Sequence, residues 1–356
     1  MERGRKKDVR RAKVHITRNN NIDILKSICA FLIVCIHVPF PGFIGNYITA
    51  LSRIAVPIFF MITGYFYSDV VKKGRTVRQI KKIFILMVEA NLVYFVWKWF
   101  YTAVISNADF ISSTFTVKNL LKFVIFNDSP LNGHLWYLGA ILYVLIITAI
   151  AKKLRITKVL YWLTPVLLIL DLVFGKYSLV LFNREFPYIL VRNFLFVGIP
   201  YFCIGRMIRE EVGQKINKNI AVLLIFIFSL TTCIERFVLA SADMNSTRDH
   251  YISTTFLAIA VFLFTLKYDS GKEPANLDKK IVGEYRLTEL LAIIGRKYST
   301  WLYIFHPIFI TCIGAVMSKI GLYGVYKYVA PVVIYVVTIV FLLIVDRMKR
   351  IQLRRR

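Results

Sequence analysis

Long apolar runs recur along this sequence, and a chain built in this way folds most readily as membrane-spanning helices. The chain has 356 residues, of which 57% are hydrophobic, compared with roughly 45–50% in soluble domains. A helix needs about 20 largely apolar residues to cross a hydrocarbon core ~30 Å thick. That length predicts ten spans, at 22–39, 47–67, 83–105, 134–150, 159–175, 194–208, 220–240, 252–268, 298–317 and 329–346.

The predicted fold class is therefore all-α, a polytopic membrane helix bundle with about ten transmembrane helices. The fifth and sixth spans are short and are interrupted by Pro165, Gly198 and Pro200. Such breaks are tolerated where neighbouring helices satisfy the freed backbone groups. Two long connections predict extra helices, an interfacial one within 106–133 and a surface one within 267–297.

The charge distribution indicates how these spans are oriented. The formal net charge is +27, which is compatible with a nucleic-acid binder, but such proteins gather their charge on a soluble face. Here six connections on one side of the predicted bundle hold 35 of the 47 Lys and Arg residues. Positively charged loops stay in the cytoplasm. We therefore expect both termini inside, a basic tail at 1–21, a membrane domain at 22–346, a second basic tail at 347–356, and no nucleic-acid partner.

The first predicted span carries three ionisable residues, Asp23, Lys26 and His37. Asp23 and Lys26 lie in the first turns, where Asp23 can cap the helix or pair with Lys26 at i,i+3. His37 lies eleven residues beyond Lys26, ~16 Å along the helix and almost on the same face. It suits either a hydrogen-bonded packing residue of the bundle or a functional base.

Other polar residues also fall within the spans. Arg53 is expected ~9 Å inside the second span from the outer side, where a permanent charge needs a carboxylate, a ring of carbonyls or a wet cavity. Glu89 lies about as deep from the inner side, as a partner or as a neutral group. His134 and Trp136 mark the outer start of the fourth span, and His306 is ~12 Å into the ninth.

In combination, these stretches resemble the integral membrane acyltransferase-3 family. "DILKSICAFLIVCIH" is similar to the family's first helix, in which a basic residue precedes a histidine by eleven positions, although Lys26 stands where the family more often has Arg. "SRIAVPIFFMITGYFY" resembles the second helix, and "RTVRQIKK" supplies the Arg-x-x-Arg pair Arg75 and Arg78. "HLWYLGAIL" and "YSTWLYIFHPI" resemble the fourth helix and a late helix.

The resemblance implies an acyltransferase that moves an acyl group, usually acetyl, from cytoplasmic acyl-CoA to an acceptor across the membrane. His37 would be the base, Arg53 would stabilise negative charge or hold the surroundings of the histidine, and Lys26 would contact the cofactor's arm. Arg75 and Arg78 would bind CoA phosphates, although an ordinary positive loop accounts for them equally. The implied catalytic set is Asp23, Lys26, His37 and Arg53, with Glu89, His134, Trp136, Ser299, Tyr303 and His306 as further contributors and no metal.

Two functions remain open at this level. The first is O-acylation of an extracytoplasmic glycan or cell-envelope component, with membrane lipids and a carbohydrate or cell-wall acceptor as partners. The second is a non-enzymatic serine or alanine transporter or binding module, because a similar membrane domain is fused to racemases in vancomycin-resistance systems. The sequence ends shortly after the tenth span, so we expect no fused racemase. Either function places the chain as a multi-pass protein of the cell membrane, and the resemblance implies a bacterial plasma membrane.

Overall fold

The computed structural model describes residues 20–105, 110–212, 217–267 and 282–354, and all regular elements within these ranges are helical. The α-helices are α1 (Asn20–His37), α2 (Gly42–Ser52), α3 (Ala55–Lys72), α4 (Thr76–Ile105), α5 (Phe110–Thr114), α6 (Val117–Phe126), α7 (Trp136–Lys153), α8 (Thr157–Phe174), α9 (Ser178–Phe182), α10 (Ile199–Met207), α11 (Lys218–Ser241), α12 (Ile252–Lys267), α13 (Val282–Ile293), α14 (Ser299–Lys319), α15 (Tyr323–Tyr326) and α16 (Ala330–Arg354). Short 3₁₀ turns occupy Gly133–Leu135 and Tyr188–Leu190, and π-helical turns occupy Phe194–Gly198, Ile208–Val212 and Ile294–Tyr298.

The helices coincide with the predicted spans. Among the described residues, eight helical stretches are long and apolar enough to cross a membrane by length and composition: Asn20–His37, Gly42–Lys72, Thr76–Ala103, Gly133–Lys153, Thr157–Phe174, Lys218–Ser241, Leu287–Lys319 and Ala330–Leu353. The shorter apolar helix α12 matches the eighth predicted span, and α10 with its two flanking π turns matches the sixth. The prediction of an all-α polytopic bundle is confirmed.

The predicted interruptions differ in kind. α8 continues through Pro165 without a break. The sixth span instead changes from a π turn to α10 after Gly198. Pro200 lies in the first turn of α10, where its missing N–H costs little. The backbone is therefore irregular at the N-terminal end of the sixth span.

The second span also differs from its predicted form. A continuous helix was expected from 47 to 67, but the chain forms α2 and α3 with a break at Arg53 and Ile54. The backbone N–H of Arg53 bonds to the Ala50 carbonyl three residues earlier, so the last turn of α2 is tightened and ended. Arg53 consequently lies at a junction between helices and not inside an unbroken one.

Two glycines allow α3 and α10 to pack closely. A Cβ at Gly64 would lie 2.0 Å from the Phe202 carbonyl oxygen, and a Cβ at Gly205 would lie 2.0 Å from that of Met61. Small residues at such contacts let helix backbones approach each other in a membrane. This contact fixes α3, which follows Arg53, against α10, which follows the polar segment at 184–193.

The interior of the bundle is formed mainly by α1, α3, α7 and α10, which supply most of its largest buried side chains. α4 and α11 expose most of their apolar side chains. In a membrane these exposed faces contact lipid, because hydrocarbon tails are as apolar as leucine.

The additional helices predicted in the two long connections are present within the described residues. α5 and α6 lie in the 106–133 connection, and α6 begins at a Thr116 cap and ends at Asn127 in the left-handed conformation. α13 lies in the 267–297 connection and passes through a π turn into α14. The predicted N-terminal tail lies outside the described residues up to position 19, and α16 runs past 346 to Arg354.

The uneven distribution of Lys and Arg predicts which side of the membrane each loop faces. With Cys233 and Cys312 replaced by serine, a Lys118→Cys variant in α6 should react with an impermeant maleimide on intact cells. A Lys73→Cys variant at the turn between α3 and α4 should react only after permeabilisation, since both positions are exposed and only the membrane separates them from the reagent. The opposite labelling pattern would reverse the inside and outside assignments.

Candidate active site with three histidines

Three histidines that are distant in the sequence lie together. His37 ends α1, His134 lies in the 3₁₀ turn before α7, and His306 lies within α14. The ring centroid of His306 is 5.1 Å from that of His37 and 5.7 Å from that of His134, and the remaining pair is 6.3 Å apart. The structure thus brings together one residue of the predicted catalytic set and two of the predicted contributors.

Hydrogen bonds fix the tautomers of the two buried rings. The Nδ1 atom of His306 is 3.1 Å from the Leu302 carbonyl oxygen, and Nδ1 of His134 is 2.7 Å from the Asn132 side-chain oxygen. Both partners are acceptors, because Asn132 Oδ1 also accepts the backbone N–H of His134. We therefore assign the proton to Nδ1 in each ring, which leaves each Nε2 with a free lone pair.

Both Nε2 lone pairs are buried and meet no hydrogen-bond donor within the part of the chain that the structure describes. His134 is 4% exposed and His306 is 0% exposed, and neither Nε2 has a partner among the described residues. Buried polar atoms without partners are uncommon and mark sites of strain, catalysis or binding. His37 differs because it is exposed. A substrate can therefore reach His37, while the other two rings form the wall behind it.

Aromatic residues hold this wall in place. The Tyr303 hydroxyl donates to the His134 carbonyl, and the Tyr94 hydroxyl donates to the Ile304 carbonyl at 2.8 Å. Tyr303 and Tyr94 also pack against the His134 ring, with centroids 5.3 and 4.8 Å away. Both hydroxyl protons are thus committed to backbone oxygens, and both tyrosines act as positioning residues.

Arg53 finds its carboxylate partner in a loop that the sequence did not indicate. Its guanidinium forms an ion pair with Asp249, which lies between α11 and α12. Tyr188 contributes a side-chain hydrogen bond to each member of the pair. Burial would raise the pKa of Asp249, but the Arg53 charge outweighs burial and holds that pKa well below its ordinary value. The pair is therefore ionised, and Glu89, the partner considered from sequence, does not take part in it.

Arg192 is a second cation at the site and was missed in the sequence. Its guanidinium carbon lies 4.4 Å from the ring centroid of Tyr188 and 5.6 Å from that of Trp136. It interacts electrostatically with His37 and His134. No carboxylate among the described residues forms an ion pair with it. Its one hydrogen bond among the described residues is to the Gly133 carbonyl at 3.4 Å, and it shares the field of Asp249 with Arg53. Arg192 therefore adds a positive charge beside the histidines without an ion-pair partner of its own.

One signal in the sequence could have indicated these residues. Only 8 of the 47 Lys and Arg residues fall in the connections predicted to be external. Because positive charge is depleted outside, each external cation needs an explanation. Half of them lie in two external connections, at Lys176, Arg184, Arg192 and Arg248. The structure also contains a buried pair between His250 Nδ1 and Asp171 Oδ2, 2.7 Å apart. No feature of the sequence indicated that these two residues would meet.

Asp23 and Lys26 lie at the other end of α1. The buried Asp23 carboxylate pairs with Lys26 Nζ and with Arg296 Nε, each at 3.1 Å. The close approach requires Gly295, where a Cβ would lie 1.7 Å from the Asp23 carbonyl oxygen. The i,i+3 pairing of Asp23 with Lys26 is thus present. It forms part of a network that ties α1 to the π turn before α14.

The remaining predicted residues are not gathered around the histidines. Arg75 and Arg78 are exposed at the turn between α3 and α4, at the end of α3 opposite Arg53. Ser299 donates to the Gly295 carbonyl at 2.7 Å, within its own helix. Glu89 is exposed on α4. No group of three His, Cys, Asp or Glu residues within the described ranges has a geometry that could hold a metal ion.

The chain matches the family model described as an acyltransferase domain over residues 19–345. The chain belongs to the acyltransferase-3 family. The chain is also similar to an amino-acid racemase of Enterococcus faecalis, at 26% identity over 307 residues that cover 80% of this chain and 42% of the relative. It thus spans less than half the length of that curated relative. No solved structure matches it significantly.

Membership confirms the resemblance inferred from the sequence and places the three histidines inside a membrane acyltransferase domain. His37, His134 and His306 all fall within the matched residues, as do Arg53, Arg192 and Asp249. In this chain His37 ends α1 and His134 precedes α7, whereas His306 lies within α14, and the cluster is distant from Arg75 and Arg78 at the other end of α3.

Proposed function

We propose that this protein is an acyltransferase that moves an acyl group, acetyl in the simplest case, from cytoplasmic acyl-CoA to a hydroxyl of an extracytoplasmic glycan or cell-envelope acceptor. The observation that carries the proposal is the convergence of an exposed histidine with two buried rings whose Nε2 lone pairs have no donor. Acyl transfer to a hydroxyl needs a base beside the acceptor proton. The proposal places the protein in the bacterial plasma membrane, with lipids as its surroundings.

His37 is the base in this proposal. Its ring accepts the proton of the acceptor hydroxyl while that oxygen attacks the thioester carbonyl. The tetrahedral intermediate then collapses, the carbon–sulfur bond breaks, and the proton passes from His37 to the departing CoA sulfur. The products are the acylated acceptor and free CoA, and His37 returns to its starting state.

The cations Arg53 and Arg192 disfavour a positive charge on His37, and two features offset their effect during the transfer. The residue ends α1, where the helix dipole stabilises cations by typically 0.3–1 kcal/mol. The ring of His306 is 5.1 Å away and presents an Nε2 acceptor, which can accept a hydrogen bond from protonated His37. His306 is therefore a positioning residue in this scheme, and the Arg53–Asp249 pair fixes the loop beside it.

The donor side of the proposal rests on Arg75 and Arg78. Both are exposed at the turn between α3 and α4, and forked guanidinium donors suit phosphates. Since α3 has 18 residues, this turn is ~27 Å from the start of α3. An extended pantetheine arm would have to cross most of that distance. It would run past Lys26, whose Asp23 partner keeps it near the inner end of α1.

The Arg75→Ala/Arg78→Ala variant should lower the affinity for acyl-CoA by roughly ten- to hundredfold, since each charged hydrogen bond is worth about 1.5–3 kcal/mol. Binding of labelled CoA to the purified protein measures the change. The exposed neighbours Lys72 and Lys73, changed to Ala together, are the matched control and should have a much smaller effect. Equal losses in both variants would assign the arginines to general positive charge.

Labelled acetyl-CoA provides the direct test of the function. Purified protein should release CoA from it, by transfer to an acceptor or by slow hydrolysis, and His37→Gln should remove this release. A protein that binds acetyl-CoA without ever releasing CoA would contradict the proposal.

A second candidate is an amino-acid binding or transport function without CoA turnover. It is favoured by the relative named amino-acid racemase and by Arg192, which forms no ion pair among the described residues and whose guanidinium suits a carboxylate. Saturable binding of free serine or alanine, lost in Arg192→Gln and unaffected by CoA, would support this candidate over acyl transfer.

A further inference from the structure

An apolar pocket lies beside the polar site on the outer side of the bundle. It has a volume of about 420 Å³ and is walled by five phenylalanines together with residues such as Ile125, Leu190 and Leu195. Its one polar residue, Asn193, is 3% exposed and donates to the Ile189 and Leu190 carbonyls. The pocket therefore offers no free polar group, and its occupant must be apolar.

One chain segment forms the wall between this pocket and the histidine site. Along 186–195, Phe186, Leu190 and Leu195 line the pocket. Between them, Tyr188 bonds to the Arg53–Asp249 pair and Arg192 stacks on Tyr188 and Trp136. The pocket lining and Arg192 thus belong to one short segment, with Arg192 directly before the lining residue Asn193.

The surroundings of this wall are rich in positive charge. Arg192 has no carboxylate partner among the described residues, and the exposed Arg184 lies over the Phe186 ring at 5.4 Å. Burial together with the Arg53 charge lowers the pKa of Lys176 to about 7. Burial is the larger of these two causes, and the carboxylates of Asp249 and Glu185 act in the opposite direction. The cation that forms no ion pair among the described residues on this wall is therefore Arg192, and its guanidinium is suited to an anion.

We propose that the acceptor is a membrane amphiphile whose single apolar chain occupies this pocket and whose phosphate binds Arg192, so that the attached hydroxyl-bearing group reaches His37. This inference rests on the proposed acyl transfer and specifies its acceptor as a lipid-linked phosphate compound.

The size of the pocket and its charge argue for one such chain. A volume of about 420 Å³ falls within the range of pockets that hold small ligands, roughly 300–1,000 Å³, and its apolar lining suits a hydrocarbon chain. Bulk lipid would need no cation at a fixed position, whereas a phosphate matches the fork of a guanidinium. The apolar pocket suits the hydrocarbon chain of a ligand, and Arg192 suits its anionic group. Together they favour an anionic amphiphile with one chain.

Binding of radiolabelled farnesyl phosphate to the purified protein, without acyl-CoA, tests the proposal. Leu195→Trp should fill the pocket and weaken binding by at least about tenfold. Leu181→Trp is the matched control, since Leu181 is exposed on the neighbouring helix α9 and does not line the pocket. It should leave the affinity within about twofold. Arg192→Gln should weaken farnesyl phosphate by a similar factor but leave the weaker binding of farnesol unchanged.

Three results would overturn the proposal: no saturable binding to the unmodified protein, equal binding by Leu195→Trp, or displacement by inorganic phosphate as effective as by unlabelled farnesyl phosphate. The last would mean that an anion site alone explains the binding. Because no acyl-CoA is present, the outcome is independent of the acetyl-CoA assay. Farnesyl phosphate binding in a protein that never turns over acetyl-CoA would reject the acyl transfer and leave the pocket assignment standing.

Discussion

Replacing His37 by glutamine is expected to lower acyl transfer by about 10²–10⁴-fold, the range that a positioned general base contributes. Glutamine keeps hydrogen-bonding capacity but has no basic nitrogen, so the acceptor hydroxyl would retain its proton during attack. Because His37 is exposed at the end of α1, the substitution removes little packing. The measurement is the rate of CoA release from labelled acetyl-CoA at saturating donor.

Donor binding separates loss of chemistry from loss of folding. The His37→Gln protein should bind CoA like the unmodified protein, since Arg75 and Arg78 lie at the opposite end of the bundle. Phe43→Gln is a suitable control because Phe43 is exposed near the same end, in α2. It should leave turnover unchanged. A His37→Gln protein with near-normal turnover would make His37 a residue of packing or solvation.

Breaking the Arg53–Asp249 pair should produce the largest change in stability. Arg53→Met leaves the Asp249 carboxylate without its main cation in a half-buried site, where the two side chains are 21% and 17% exposed. The cost should therefore approach, but not exceed, the value of about 3–5 kcal/mol for removing one partner of a buried pair. Tyr188 would also lose a hydrogen-bond partner. The apparent Tm of the purified protein in detergent should fall markedly, and turnover should fall with it, because the pair holds the 242–251 loop beside the histidines.

A double substitution isolates the effect of the unpaired charge. Arg53→Met combined with Asp249→Leu should recover a large part of the stability lost in Arg53→Met, because no buried charge is left without a partner. The exposed pair of Arg350 and Asp346, with Nη2 and Oδ2 2.6 Å apart, is the matched control, and Arg350→Met should change the Tm far less. A double variant no more stable than the single one would mean that packing, not charge, sets the cost.

The fold class could be predicted because its determinants are local. Hydrocarbon provides no hydrogen-bonding partners, so an apolar run of sufficient length must satisfy its own backbone as a helix. Each predicted span accordingly appears as a helical stretch. The predicted break at Gly198 and Pro200 also appears, as a π turn. The break at Arg53 was not predicted, because nothing in the apolar pattern of 47–67 distinguishes two helices from one.

The candidate site was only partly predictable. His37 and His306 stood out as ionisable residues within apolar runs, which membrane energetics makes conspicuous. Asp249, Tyr188 and Arg192 lie in connections, where charged and polar residues are ordinary. From the sequence, charged residues in the connections were interpreted only as indicators of which side of the membrane a loop faces. Glu89 was therefore the one partner named for Arg53.

By itself the sequence determined which segments become helices, how positive charge divides between the two sides, and which ionisable groups must leave the lipid. Tertiary structure decided which groups meet: Arg53 and Asp249 are separated by 196 positions, and three histidines from three helices share one site. The physical reason is that helix formation in a membrane depends on each segment's own composition. Contacts between segments depend on close packing, such as that at Gly64, Gly205 and Gly295, which sets the rotation and depth of every helix at once.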